Sequence, residues 1–161
     1  MRSTLPSLCL LLVCLLPHTA TAAPRSIVQW SVKSSPVKAL RPGEKFDVVV
    51  MGKIDPGWHL YALEEPEGGP VATVIGLTEG DPADLLHVDE DTPIMVNDPL
   101  FQQEAGLFQN VAHFTLHLRL AAHVAPGPHA LRVLIRFQSC DDHVCLAPHT
   151  DTVPVPLHSQ H

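Results

Sequence analysis

The residues best equipped for chemistry are Cys140 and Cys145, in the run Cys140-Asp141-Asp142-His143-Val144-Cys145 that continues as Leu146-Ala147-Pro148. The chain has four cysteines, but Cys9 and Cys14 fall in an N-terminal apolar run, so this pair holds the only thiols expected in the mature protein. Two sulfurs within reach of each other can cycle between dithiol and disulfide. If the strand-like runs on either side form a hairpin, the two Cα atoms approach the roughly 5.5 Å that a disulfide needs. In the chain-entropy model a ring of about six residues contributes on the order of 2 kcal/mol, against nearly 5 kcal/mol for a bridge closing a hundred. A bond placed to staple a domain would link distant strands. This one suits an accessible, exchangeable disulfide.

The neighbours of the sulfurs pull in opposite directions. Asp141 and Asp142 oppose a thiolate, a protonated His143 favours one, and neither lysine nor arginine lies in the loop. Local charge therefore predicts no strongly acidic thiol, and a partner's more reactive thiolate is expected to attack the oxidised pair first. Two other readings use the same residues. In one, the bond is an inert structural disulfide of a non-enzymatic binding module. In the other, Cys140, His143, Cys145 and His149 hold zinc or copper through sulfur and imidazole, although three of these ligands crowd one short loop.

The elements that must position this pair begin after a removable leader. Arg2, an apolar run from Leu8 to Leu16 and the small residues Ala20-Thr21-Ala22 form a secretory signal pattern with a cut ahead of Ala23. The apolar run is well short of the roughly 20 residues that span a bilayer. Residues 1–22 are thus expected to leave, and residues 23–161 to form a single exported domain, periplasmic or secreted, with no stable membrane insertion. Loss of Arg2 takes the formal charge from −7 to −8, which makes nucleic acid and anionic lipid poor partners.

Period-2 alternation dominates the mature chain. Strands are predicted over Ser26 to Lys33, Glu44 to Ile54, Trp58 to Ala62, Pro70 to Leu77 and Leu85 to Val88. The clearest alternations are Phe114, Leu116, Leu118 and Leu120, and then Leu131, Val133, Ile135 and Phe137, which run into Cys140. A last strand at Thr152 to Leu157 carries Pro154 and Pro156, neither of which donates a ladder hydrogen bond, so it belongs on an edge. Asp89 to Gly106 shows no clear period. No amphipathic helix emerges, and short strands with Pro/Gly turns predict an all-β, antiparallel sandwich.

No Ser/His/Asp order, phosphate-binding glycine loop or paired-carboxylate motif stands out, and no cofactor is expected. Glu64, Glu65 and Glu67 read as a solvated acidic loop, and His113, His117 and His129 as solvated strand faces. Trp58 and Tyr61 are either core aromatics or a wall beside the cysteines, and Phe101 is equally open.

Gly57-Trp58-His59-Leu60-Tyr61, Gly69-Pro70 and above all Phe137-Gln138-Ser139-Cys140 through Cys145-Leu146-Ala147-Pro148 resemble the periplasmic N-terminal domain of the thiol:disulfide interchange protein DsbD. The resemblance runs from about Ile27 to Leu157 and is specific only in the cysteine segment. It implies an immunoglobulin-like sandwich with one redox pair on a hairpin, passing reducing equivalents from a thioredoxin-like or DsbD-type membrane donor to periplasmic thiol oxidoreductases. Processes that draw on such electrons, cytochrome c biogenesis among them, come with it. By position, Cys145 becomes the attacking thiol and Cys140 the resolving one. Phe101, with Asp98 nearby, becomes the aromatic cap, and Trp58 and Tyr61 the aromatic segment beside the site. The four-residue spacing is shorter than is common in the family. The transmembrane conduit and C-terminal thioredoxin-like domain of the full interchange protein have no counterpart here, so a separate donor is expected.

Overall fold

The alternating runs become strands because each can turn one row of side chains away from water. The computed structural model describes residues 26–161; the expected signal peptide and its cut ahead of Ala23 lie outside them. Eleven strands follow in order: β1 (Val28–Ser34), β2 (Lys45–Ile54), β3 (His59–Tyr61), β4 (Val74–Leu77), β5 (Ala83–Glu90), β6 (Ile94–Asp98), β7 (Gln103–Gln109), β8 (Val111–Leu120), β9 (Gly127–Phe137), β10 (Ser139–Cys140) and β11 (His149–Ser159). They form sheets ordered β1-β2-β8-β5, β10-β3-β7-β6 and β11-β9-β4, with antiparallel pairing between strands. The fold is an immunoglobulin-like antiparallel β-sandwich.

Four predicted strands supply the main core. Phe46, Val48 and Val50 of β2, Phe114, Leu116, Leu118 and Leu120 of β8, Leu131, Val133, Ile135 and Phe137 of β9, and Val153, Val155 and Leu157 of β11 are all buried in one cluster. Each such side chain contributes on the order of 1.5–3 kcal/mol by leaving water. Trp30 lies across this core, 6.0 Å from the Phe114 ring and 5.3 Å from that of Phe137. Gly52 makes room for it, since a Cβ there would sit 2.9 Å from Trp30 Cζ3. As expected of a strand with two prolines, β11 is an edge.

The aperiodic stretch from Asp89 to Gly106 contains two unpredicted elements, β6 and the start of β7. β7 buries Ala105, Gly106, Leu107 and Phe108 in succession. Phe108 joins the main core, and Ala105 and Leu107 join a second cluster on the opposite face. A strand covered on both faces has no polar alternate row, so period 2 cannot reveal it.

The end of β9 also departs from expectation. The strand stops at Phe137, and the chain changes sheet, so that Ser139 and Cys140 pair with Leu60 and His59 of β3. Gln138 clamps this step: its Oε1 accepts from the Val71 N–H (3.2 Å) and its Nε2 donates to the Leu146 carbonyl (3.1 Å).

Candidate functional site

Cys140 and Cys145 form a disulfide, with an S–S distance of 2.02 Å and Cα atoms 4.1 Å apart. The local sequence accounts for this close approach. Asp142 and His143 turn the chain, the Asp141 N–H donates to the Val144 carbonyl, and the Leu146 N–H donates to the Ser139 carbonyl, both at 2.9 Å. Between those bonds the cysteines face each other as an antiparallel bridge. Facing residues that exchange no hydrogen bonds bring their Cα atoms to about 4.5 Å in an antiparallel ladder, closer than the separation expected for a generic disulfide. Asp141 Oδ1 accepts from the N–H groups of His143 and Val144, each at 2.7 Å, and these bonds hold its pKa below the usual value. The turn is thus built around an ionised carboxylate.

The two sulfurs have unequal surroundings. Cys140 is 0% exposed and packs in a cluster with Tyr61, Ala105 and Leu107, whereas Cys145 is only half-buried at its rim. Phe101 and Val96 pack against the same cluster. The Phe101 ring stands edge-on to that of Tyr61, with centroids 6.2 Å apart.

Phe101 is carried by the turn between β6 and β7, and Asp98 builds that turn. Its Oδ1 accepts from the N–H groups of Leu100 (2.8 Å) and Phe101 (3.2 Å), and its carbonyl accepts from Gln102 (2.8 Å). Its Oδ2 accepts the Tyr61 hydroxyl proton at 2.8 Å, which ties the turn to β3. Buried at 1% exposure, Asp98 has its acceptor sites used on both sides.

His59 completes the row. It lies opposite Cys140 in the ladder, 6% exposed, with Nε2 3.1 Å from the Tyr61 hydroxyl oxygen. Tyr61 gives its one proton to Asp98, so its oxygen accepts and His59 Nε2 must donate. Desolvation lowers the His59 pKa, against an upward pull from Asp98, Asp142 and Asp141, and burial followed by the Asp98 hydrogen bond raises that of Tyr61. Both groups are neutral near pH 7. The 4.0 Å approach of His59 Nε2 to Asp98 Oδ2 is therefore a contact of a neutral ring rather than an ion pair.

The sequence profile of the family described as "Thiol:disulfide interchange protein DsbD, N-terminal" matches residues 29–157. The chain belongs to this family. Two solved structures are similar to it. The N-terminal periplasmic domain of ScsB from Proteus mirabilis matches with a TM-score of 0.51 and 14% identity, over 80% of this chain and 44% of that one. The DsbD N-terminal domain of Neisseria meningitidis in the reduced form matches with a TM-score of 0.49 and 17% identity, over 70% of this chain and 82% of that one. No curated protein matches the chain significantly.

Of the residues singled out from sequence, this DsbD-type domain brings Cys140, Cys145, Tyr61, Asp98 and Phe101 together. Trp58 is placed differently, half-buried against the main core. The zinc or copper arrangement does not assemble: both sulfurs are spent in the disulfide, and the His149 ring lies against Phe137, with centroids 4.4 Å apart. Glu65 is not a solvated loop residue. Its carboxylate accepts from the N–H groups of Ala62 (3.2 Å) and Gly106 (3.1 Å), and burial raises its pKa. In the sequence His59 stands out only as part of the run from Gly57 to Tyr61, and its place two residues before Tyr61 puts both side chains on one face of a strand.

Proposed function

We propose that this domain is an exported dithiol/disulfide relay, held in the periplasm or secreted after removal of residues 1–22. The observation that carries the reading is the asymmetry of the pair, a buried Cys140 bonded to a half-exposed Cys145 beside Phe101. A thiolate entering from solvent meets Cys145 Sγ first. Its attack forms a mixed disulfide at Cys145 and breaks the Cys140–Cys145 bond, and the departing Cys140 sulfur takes up a proton. A second thiol of the donor then displaces Cys145, so that the donor pair is oxidised and the domain gains two electrons and two protons. In the opposite half-cycle, Cys145 thiolate attacks an oxidised acceptor and Cys140 resolves the mixed disulfide.

The donor in this reading is a thioredoxin-like or DsbD-type membrane protein, and the acceptors are periplasmic thiol oxidoreductases, including those that serve cytochrome c biogenesis. Phe101 acts as the cap that a docking partner displaces, Asp98 holds that cap in place, and Tyr61 forms the wall beneath it.

Trapping tests the assignment. A Cys140→Ala variant should accumulate a mixed disulfide with a thioredoxin-like partner supplied in its oxidised form, whose disulfide the lone Cys145 thiolate opens, whereas Cys145→Ala should accumulate none. A reduction potential well below about −300 mV, with no trapped species, would mark the bond as structural and the domain as a binding module.

A further inference from the structure

We propose that the outer face of the β1-β2-β8-β5 sheet carries a divalent transition-metal site formed by His87, Asp89 and His117, with Asp47 supporting His117. β8 turns His113, Thr115, His117 and Arg119 outward, opposite its buried row. In the ladder, His117 stands between Asp47 of β2 and His87 of β5. A bulge creates this row. Leu85 pairs with Leu118, the next pairing is His87 with His117, and Leu86 is skipped. In an unbroken register Leu86 would oppose His117, and His87 would face Leu116 on the core side. The bulge re-aims an imidazole, as bulges at sheet edges do.

The geometry of His117 calls for a cation. Its Nδ1 lies 2.8 Å from Asp47 Oδ1 and its Nε2 lies 2.9 Å from Asp89 Oδ2. A neutral imidazole has one N–H and cannot serve two carboxylates. An imidazolium donates to both; alternatively, with the single proton on Nδ1 toward Asp47, the Nε2 lone pair is free to bind a metal ion shared with the Asp89 oxygen. His87 supplies the second nitrogen for that ion. Its Nε2 lies 3.9 Å from the same Asp89 oxygen, and its ring stacks on that of His117 with centroids 4.0 Å apart and planes 12° apart. A proton on His117 alone leaves the His87 nitrogen unused, whereas one metal ion engages both rings and the Asp89 carboxylate together.

One ligand atom from each of His87, Asp89 and His117 lies within 4.8 Å of the other two. Ligands around tetrahedral zinc are about 3.3 Å apart, given bonds of about 2.0–2.2 Å. The 2.9 Å and 3.9 Å separations bracket that spacing, and closure requires the exposed His87 ring to tilt off the stack. Asp47 behind His117 is the outer carboxylate that orients a metal-binding histidine. Two imidazoles and a carboxylate, with remaining positions open to water, select the zinc class of cation over calcium or magnesium. This site shares no residue with the disulfide hairpin and is independent of the relay.

Calorimetric titration of zinc chloride into the oxidised protein in a chelator-treated buffer tests the proposal. One ion should bind per chain. His87→Ala and His117→Ala should each weaken binding at least tenfold, and Asp47→Asn should weaken it by a smaller factor. His113→Ala, whose ring pairs with Asp91 on the same face, and the Cys140→Ser/Cys145→Ser double variant should leave it unchanged. Should a variant unfold, zinc-induced shifts of the imidazole signals of His87 and His117 in the native protein read the same contact. Zinc binding that survives both histidine variants, zinc binding lost with the cysteines, or imidazole signals that respond to pH but not to zinc would each overturn it.

Discussion

Cys145 is surrounded by groups that do little to favour a thiolate. Asp141 is held ionised by its own turn, His59 is kept neutral by burial, and neither lysine nor arginine lies in the loop. Exposure, rather than local charge, distinguishes Cys145 from Cys140. Alkylation of the reduced protein should modify Cys145 several-fold faster than Cys140, and equal rates or a faster Cys140 would contradict this picture. His59 makes a second statement at this scale. Its folded-state pKa lies below the ordinary 6.5, so the native state binds fewer protons than the unfolded chain. The corresponding stability is present above pH 6.5 and is lost as pH falls through the folded pKa, with a slope of at most about 1.4 kcal/mol per pH unit. Urea unfolding between pH 7 and pH 5 should show that fall, and His59→Phe should flatten it relative to the parent protein.

The β6–β7 hairpin is the element on which access depends. Asp98 closes its turn and Tyr61 anchors it, so loosening either should expose the disulfide while leaving the main core intact. Asp98→Ala leaves the Leu100 and Phe101 N–H groups without their acceptor and the buried Tyr61 hydroxyl without its own, and it should cost about 1–3 kcal/mol. Phe101→Ala removes the ring and leaves the turn. Reduction of the disulfide by dithiothreitol, followed by stopped flow, should be several-fold faster in both variants, and unchanged rates would show that Phe101 does not restrict access. This hairpin is also where the sequence was least legible. β6 leaves Ile94 and Met95 exposed, β7 buries four residues in a row, and neither pattern carries the signature of a half-buried strand.

At the scale of the whole molecule, stability and redox chemistry reside in different places. The main core joins β2, β8, β9 and β11, while the disulfide closes a short ring at the sheet edge formed by β10. The Cys140→Ser/Cys145→Ser double variant should therefore lose only about 2 kcal/mol. Phe114→Ala should lose about 3–5 kcal/mol. Denaturation of the two variants should show that order, and a larger loss in the cysteine variant would assign the bond a stabilising role.

By itself the sequence determined the strands whose two faces differ, the edge position of β11, and a cysteine spacing that permits a small ring. These depend on relations among residues close in the chain, namely the alternation of side chains across a pleat, the missing N–H of proline and the geometry of a short loop. Only the tertiary structure decided that Cys140 leaves the β9 sheet to pair with His59, that Cys145 is the more accessible sulfur, that Trp58 belongs to the core and that Glu65 is bonded to Gly106. Each of those depends on which strands become neighbours. Tyr61 and Asp98 are 37 residues apart, yet their hydrogen bond holds the aromatic turn against the cysteine cluster. Desolvation and burial, which set the charge of His59 and the unequal exposure of the two sulfurs, arise only when such distant segments meet.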